Sequence, residues 1–294
     1  MYEAHFGMLE RPFSLRPDPN FFYVSKTHRS ALTAIEYGIT TDAPIAVIAG
    51  EIGCGKTTAL RYMISQLPPD IRAVLIAHTP QTFGELLSWI ASNLGIPFEN
   101  RDGVAVFQDI VKVLARGHSA GRRTLLIIDE AQSLSFRALE GVRMLSNVNL
   151  EQHPALQVVL VGQPELLDKL RSPNLVQLAQ RVSIDCFLGP LTRDETRDYI
   201  WHRLRVVGAR EDIFDPEACD IVHAHSRGIP RLVNTLCDLS LVYAFAEQRQ
   251  VVTPDIVWAV VRDRQAVGVI PISDHATAES RLKKGPDRGR TAGE

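Results

Sequence analysis

The eight residues Gly50-Glu51-Ile52-Gly53-Cys54-Gly55-Lys56-Thr57 constrain this chain more than any other stretch. They satisfy the phosphate-binding pattern G-x-x-x-x-G-K-[ST] at every fixed position. The pattern carries physical meaning only between a strand and a helix, and the sequence supplies both. Ile45-Ala46-Val47-Ile48-Ala49 is an apolar, β-type run, and Thr57 to Gln66 is compatible with a helix. Glycines let the backbone turn tightly, so successive N–H groups point inward at phosphate oxygens, and the helix N-terminus adds its positive dipole end. The expected cradle is Gly50, Glu51, Ile52, Gly53, Cys54, Gly55, Lys56, Thr57 and Thr58. Lys56 is expected to reach the β- and γ-phosphates of ATP, and Thr57 to give its hydroxyl to Mg²⁺.

The other half of a nucleotide site lies further along. Thr124-Leu125-Leu126-Ile127-Ile128 is a continuous apolar run, as expected for a strand buried on both faces, and it ends in Asp129-Glu130. A carboxylate at the end of such a strand suits Mg²⁺, either directly or through water, and Asp129 fits that role. Glu130 fits a different one, polarising the water that attacks the γ-phosphate.

A chain of 294 residues can hold one large domain or two smaller ones. Its net charge of −2 gives no global signal for nucleic acid, although local basic faces are compatible with it. The four cysteines, Cys54, Cys186, Cys219 and Cys237, have no C-x-x-C spacing, which argues against a zinc site or a disulfide framework. Cys54 reads as a small residue that fits the phosphate loop. No apolar run approaches the roughly 18–20 residues that span a bilayer. The opening Met-Tyr-Glu-Ala-His-Phe lacks the basic and apolar regions of a signal peptide, so a cytoplasmic chain is expected, associated with a membrane only through a partner.

Periodicity divides the chain. Residues 1–27 form an aromatic- and proline-rich docked segment. Strands at Ile45–Ala49, Arg72–Ala77, Thr124–Ile128, Gln157–Val161 and Val182–Phe187 alternate with helices at His28–Ile39, Thr82–Leu94, Val104–Arg116 and Phe136–Ser146, and a short helix ends near Gln180. Only helices follow: one capped by Thr192 and Glu195 that runs to Val206, then Pro216–Ser226, Arg231–Ala246 and Thr253–Arg264. The fold class this predicts is α/β: a P-loop NTPase αβα sandwich with a parallel five-stranded sheet in residues 28–189, plus a C-terminal all-helical lid in 190–268. Residues 269–294 read as a disordered tail.

Four more residues are candidates for chemistry. Gln163 ends the strand Val158–Gly162, at the same sheet edge as Asp129, and is either a partner of the γ-phosphate or attacking water, or a turn residue before Pro164. Arg231 opens a lid helix after Gly228-Ile229-Pro230, where its guanidinium could fold onto the γ-phosphate and couple nucleotide state to lid angle. Arg181, just before the fifth strand, is a candidate arginine finger offered to a neighbouring subunit, with Arg171 as a second candidate. His223 and His225 alternate on a helix, do not share a face, and do not make a metal site.

With those residues in view, the chain resembles the AAA+ ATPases of the ExeA type, the general secretion pathway protein A family. The resemblance runs from about Tyr2 to Arg264. It is carried by Phe6-Gly7-Met8, Pro12-Phe13, Pro17-Asp18-Pro19, Gly50–Thr58, Asp129-Glu130-Ala131-Gln132 and Val161-Gly162-Gln163-Pro164-Glu165-Leu166, then by Gln180-Arg181 and Gly228-Ile229-Pro230-Arg231-Leu232-Val233-Asn234. It implies an ATPase core with a helical lid that assembles into rings. By that analogy Lys56 and Thr57 bind phosphate and Mg²⁺, Asp129 and Glu130 form the hydrolysis pair, Gln163 is sensor 1, Arg231 is sensor 2 and Arg181 is the finger. Secretion members of the family continue into a membrane helix and a peptidoglycan-binding domain, whereas this chain continues into a short polar tail. The expected activity is ATP hydrolysis by a homo-oligomeric ring or filament acting on a protein partner of secretion or export machinery. The alternative is a DNA-binding helper ATPase that forms nucleotide-gated filaments with a transposase.

Overall fold

Buried strands alternate with helices up to Leu188 and give way to helices alone beyond it. The computed structural model describes residues 1–267 apart from 78–79, 151–152 and 155. The expected tail lies outside the described residues. The chain divides into two compact units with separate hydrophobic cores. The first comprises Lys26–Ile52 and Ala59–Leu188, and the second comprises Met1–Ser25, Gly53–Thr58 and the chain from Gly189 onward.

The first unit is built from α1 (Lys26–Thr40), β1 (Ile45–Gly50), α2 (Lys56–Ser65), β2 (Ile71–Ile76), α3 (Phe83–Leu94), α4 (Gly103–Ser119), β3 (Arg123–Ile128), α5 (Phe136–Ser146), a pair of two-residue strands β4 (Asn149–Leu150) and β5 (His153–Pro154), β6 (Leu156–Gly162), α6 (Pro164–Leu170), α7 (Val176–Ala179) and β7 (Val182–Leu188). The first turn of α2 is grouped with the second unit. Five strands form one parallel sheet in the order β2-β3-β6-β1-β7. Every residue of β1 and β6 is buried, the signature of central strands covered on both faces. β7, at the sheet edge, alternates and leaves Ser183, Asp185 and Phe187 exposed, with the charge of Asp185 guarding an open edge. Helix starts follow local chemistry. The Thr82 hydroxyl accepts the Glu85 N–H at the start of α3, and Gly95, at φ 74°, ends that helix in the left-handed region.

The sequence did not predict α6 or the β4–β5 pair. Gln163-Pro164 reads equally as a turn, but proline at the first helical position is preorganised for a helix. Leu166 and Leu170, one turn apart, then bury the same face.

The second unit packs α8 (Arg193–Val206), α9 (Pro216–Ser226), α10 (Pro230–Ala246) and α11 (Pro254–Val267) with the N-terminal segment. The capping box of Thr192 and Glu195 forms at the start of α8. Tyr2, Phe6, Phe13 and Phe21 are core residues of this unit, so these aromatics serve packing. Burial of the Asp220 carboxyl works to raise it, but Arg193 and Arg197 outweigh that and hold it below the ordinary carboxylate range, tying α8 to α9.

Arg203 of α8 anchors the N-terminal segment. It is buried, donates to the carbonyls of Pro12 (2.5 Å) and Ser14 (2.9 Å), and lies over the Phe21 ring, 4.4 Å from its centre. Arg203→Ala would leave two carbonyls short of donors and remove the cation–π contact. We expect a loss of about 2–4 kcal/mol, read as a lower melting temperature and earlier proteolysis within Met1–Ser25. An unchanged melt would mean the aromatics alone hold the segment.

Candidate functional site

Parallel strands end at one edge of a sheet, and ligand sites in such folds lie beyond that edge. Ala49 of β1 pairs with Gly162 of β6, and Ile128 of β3 pairs with Leu160 of β6. Gly50 and Gln163 therefore leave the sheet level with each other, and Asp129 leaves the same edge two residues earlier in register, with β6 between β3 and β1. At Gly50 a Cβ would lie 2.7 Å from the Leu188 carbonyl oxygen, so the last residue of β1 has room only for glycine.

The phosphate loop follows directly from β1. Gly53 and Gly55 adopt φ values of 86° and 90°, a region glycine enters without steric cost. Lys56 then starts α2 and is only 6% exposed, and Cys54 is wholly buried. Positive-φ glycines immediately before a helix N-terminus turn successive N–H groups into a concavity suited to anions. The residues present therefore fit the phosphates of ATP. Within the second unit, the Arg231 N–H donates to the Gly53 carbonyl at 3.2 Å, and a Cβ at Gly53 would lie 2.8 Å from the Arg231 Cβ. The start of α10 is thus in direct contact with the loop. Gly228, at φ 69°, precedes it where a Cβ would lie 2.0 Å from the Leu191 carbonyl oxygen.

The acidic pair belongs to the first unit. Asp129 is 6% exposed, its N–H donates to the Ile76 carbonyl at 2.9 Å, and its Oδ1 accepts the Glu130 N–H at 2.9 Å. Glu130 sits in the left-handed region at φ 54°, which costs a non-glycine residue about 1–2 kcal/mol and turns the chain sharply off β3. Its Oε2 accepts from the Gln132 Nε2 at 2.6 Å and from the Gln163 Nε2 at 3.3 Å. The Gln163 N–H donates to the Gln132 Oε1 at 3.1 Å. The Lys169 ammonium donates to the carbonyls of Gln132 (2.6 Å) and Leu134 (2.8 Å).

The structure thus brings Asp129, Glu130 and Gln163 together in one unit, and Lys56, Thr57 and Arg231 in the other. Gln163, a sensor by resemblance, faces Glu130. Arg181 donates to the Ser146 carbonyl at the end of α5, at 3.3 Å. Arg171, past the end of α6, is exposed and paired with Asp168. His223 contacts the Thr196 hydroxyl, and His225 packs on the Trp258 ring. No group of three or more His, Cys, Asp or Glu among the described residues could hold a metal. Gln132 and Lys169 were missed. Gln132 stands in the string Asp-Glu-Ala-Gln, two residues past the candidate base, which was the available signal. Nothing in the sequence marks Lys169.

A family model described as an AAA domain matches residues 39–170. General secretion pathway protein A of Aeromonas hydrophila is 37% identical over 284 residues, 96% of this chain and 51% of that protein. The chain therefore spans about half the length of that relative. Among solved structures, the ORC2 protein of Aeropyrum pernix, in ADPNP-ADP complexes, aligns with a TM-score of 0.67 at 16% identity, covering 86% of this chain and 71% of that one. Cdc6p of Pyrobaculum aerophilum aligns with a TM-score of 0.65 at 19% identity over 92% and 82% of the two chains. The RuvB branch-migration motor of Thermotoga maritima gives a TM-score of 0.56 at 18% identity over 89% and 74%. At such identities these likenesses speak for the fold, a P-loop αβα sandwich with a helical C-terminal region. The chain thus carries a segment matched by an AAA domain model, is similar over nearly its whole length to about half of general secretion pathway protein A, and has the P-loop fold of these solved structures.

Proposed function

We propose that this chain binds ATP with Mg²⁺, hydrolyses it, and acts as an oligomeric switch or motor on a partner protein of secretion or export machinery. One observation carries the reading: β1, which the sequence continues into the glycine loop, and β3, which it continues into Asp129-Glu130, end at the same edge of one parallel sheet. Bound ATP supplies the phosphoanhydride bond, and Mg²⁺ neutralises its charge. The N–H groups from Gly50 to Thr58 hold the phosphates and Lys56 adds a cation at the outer two. Thr57 and Asp129 are the Mg²⁺ residues. The Glu130 carboxylate orients a water and takes its proton at an Oε atom. Gln163 holds Glu130, Arg231 reads the outer phosphate from α10, and Arg181 serves a neighbouring subunit. The place of action is the cytoplasmic side. No helix among the described residues is long and apolar enough to cross a membrane.

The test is the steady-state rate of ATP hydrolysis against protein concentration, with and without double-stranded DNA. A rate per subunit that climbs with concentration means a neighbour completes the site. Arg181→Ala should then lose about a thousandfold, and only at concentrations where the parent assembles. An equal loss in dilute monomer would show that Arg181 serves its own subunit through Ser146. A related fold has been solved with DNA, the ORC1 protein of Aeropyrum pernix, which motivates the DNA arm. Stimulation by DNA that disappears at high salt would favour the transposition-helper reading.

A further inference from the structure

Gln132 uses both ends of its amide. Its Oε1 accepts the main-chain N–H of Gln163 at 3.1 Å. A backbone N–H can only donate, so the amide orientation is fixed and Nε2 must face the Glu130 Oε2, 2.6 Å away. The loop that carries Gln132 is pinned from below, because the Lys169 ammonium holds the carbonyls of Gln132 and Leu134. The space for the amide is reserved as well. At Gly162, the last residue of β6, a Cβ would lie 2.7 Å from the Gln132 Oε1 and 2.9 Å from the Leu166 Cδ2. One carboxylate oxygen thus takes two donors, one from its own turn and one from the end of β6.

Glu130 needs such support. It sits in a strained left-handed turn at the end of β3, and a free glutamate side chain spreads over many rotamers. A general base works only when held close to the productive geometry, and a misplacement of about 1 Å can cost about a hundredfold in rate. We propose that Gln132 is a positioning residue that fixes the Glu130 carboxylate and couples it to Gln163, so that the base and the end of β6 move as one. This rests on the reading of Glu130 as the base.

The experiment compares the parent with Gln132→Ala, Gln132→Glu, Glu130→Gln and the double variant Glu130→Gln/Gln132→Ala. Three quantities are measured: single-turnover rate, affinity for a fluorescent ATP analogue, and hydrogen exchange of the Gln163 amide in nucleotide-free protein. Gln132→Ala should lose about 10- to 100-fold in rate with affinity unchanged. It should also speed exchange at Gln163 about tenfold, because that N–H loses its acceptor. Gln132→Glu keeps an acceptor for the Gln163 N–H but sets a second carboxylate against Glu130. It should preserve the protection of Gln163 and still lose rate. In the Glu130→Gln background, Gln132→Ala should cost nothing further, since it acts through a group already removed.

A parental rate in Gln132→Ala, with Glu130→Gln inactive, would sink the positioning role and leave the ATPase reading standing. An undiminished further loss in the double variant would show that Gln132 acts on something other than Glu130, and would also overturn the proposal. A parental rate in Glu130→Gln would remove the base itself, and both readings would fall together.

Discussion

Glu130→Gln is expected to bind ATP as tightly as the parent and to lose about 100- to 10,000-fold in turnover, the usual contribution of a positioned general base. The substitution keeps the shape of the side chain and one carbonyl oxygen to accept from Gln132 or Gln163, so the turn after β3 and the contacts within it should persist. What disappears is the anionic oxygen that takes a proton. Asp129, which accepts the Glu130 N–H through its own Oδ1, keeps its main-chain partner, so metal binding should be little changed. Equilibrium binding of a fluorescent ATP analogue and single-turnover phosphate release, measured on one preparation, separate the two effects. A variant that bound weakly would mean the carboxylate holds the nucleotide and does not act as the base.

Lys56→Ala is expected to fail one step earlier, at binding. Lys56 starts α2 directly after a glycine at φ 90° and is almost wholly buried, so its side chain has little freedom at the end of the phosphate loop. A charge-assisted contact to a phosphate contributes about 1.5–3 kcal/mol, and two such contacts would weaken binding by about a hundredfold or more. A second readout avoids turnover altogether. Ligand at a hundred times its dissociation constant stabilises a protein by about 2.7 kcal/mol, so Mg²⁺ and ATP should raise the melting temperature of the parent and leave that of Lys56→Ala unmoved. If both melted higher with ATP, the loop would not be the main phosphate site.

Much of this was legible because the signals were local. The central strands are apolar on both faces, so Ile45–Ala49 and Thr124–Ile128 read as strands without any partner in view. The glycines of the loop, the hydroxyls of Thr82 and Thr192 and the prolines at 216 and 254 mark turns and helix starts by chemistry that acts within a few residues. The rest depends on tertiary placement. The order β2-β3-β6-β1-β7 sets Gln163 beside Glu130, and no pattern within residues 157–163 encodes that neighbour. The clamp of Gln132 exists only because β3 and β6 pair, and Lys169 joins it from a helix that begins at an ambiguous Gln163-Pro164 step. Arg203 reads as one of several arginines on α8 until the N-terminal carbonyls are seen against it.

The proposed activity, ATP breakdown by the phosphate-loop residues together with Glu130, can be read from a single turnover. It is tested most directly by following radiolabelled ATP mixed with an excess of the parent protein and Mg²⁺, at a concentration where the protein self-associates. Bound ATP should be converted to ADP and phosphate, a conversion stopped by chelation of the metal and absent in Glu130→Gln. ATP that stays bound and intact through the same period would contradict it and make the chain a nucleotide-gated scaffold.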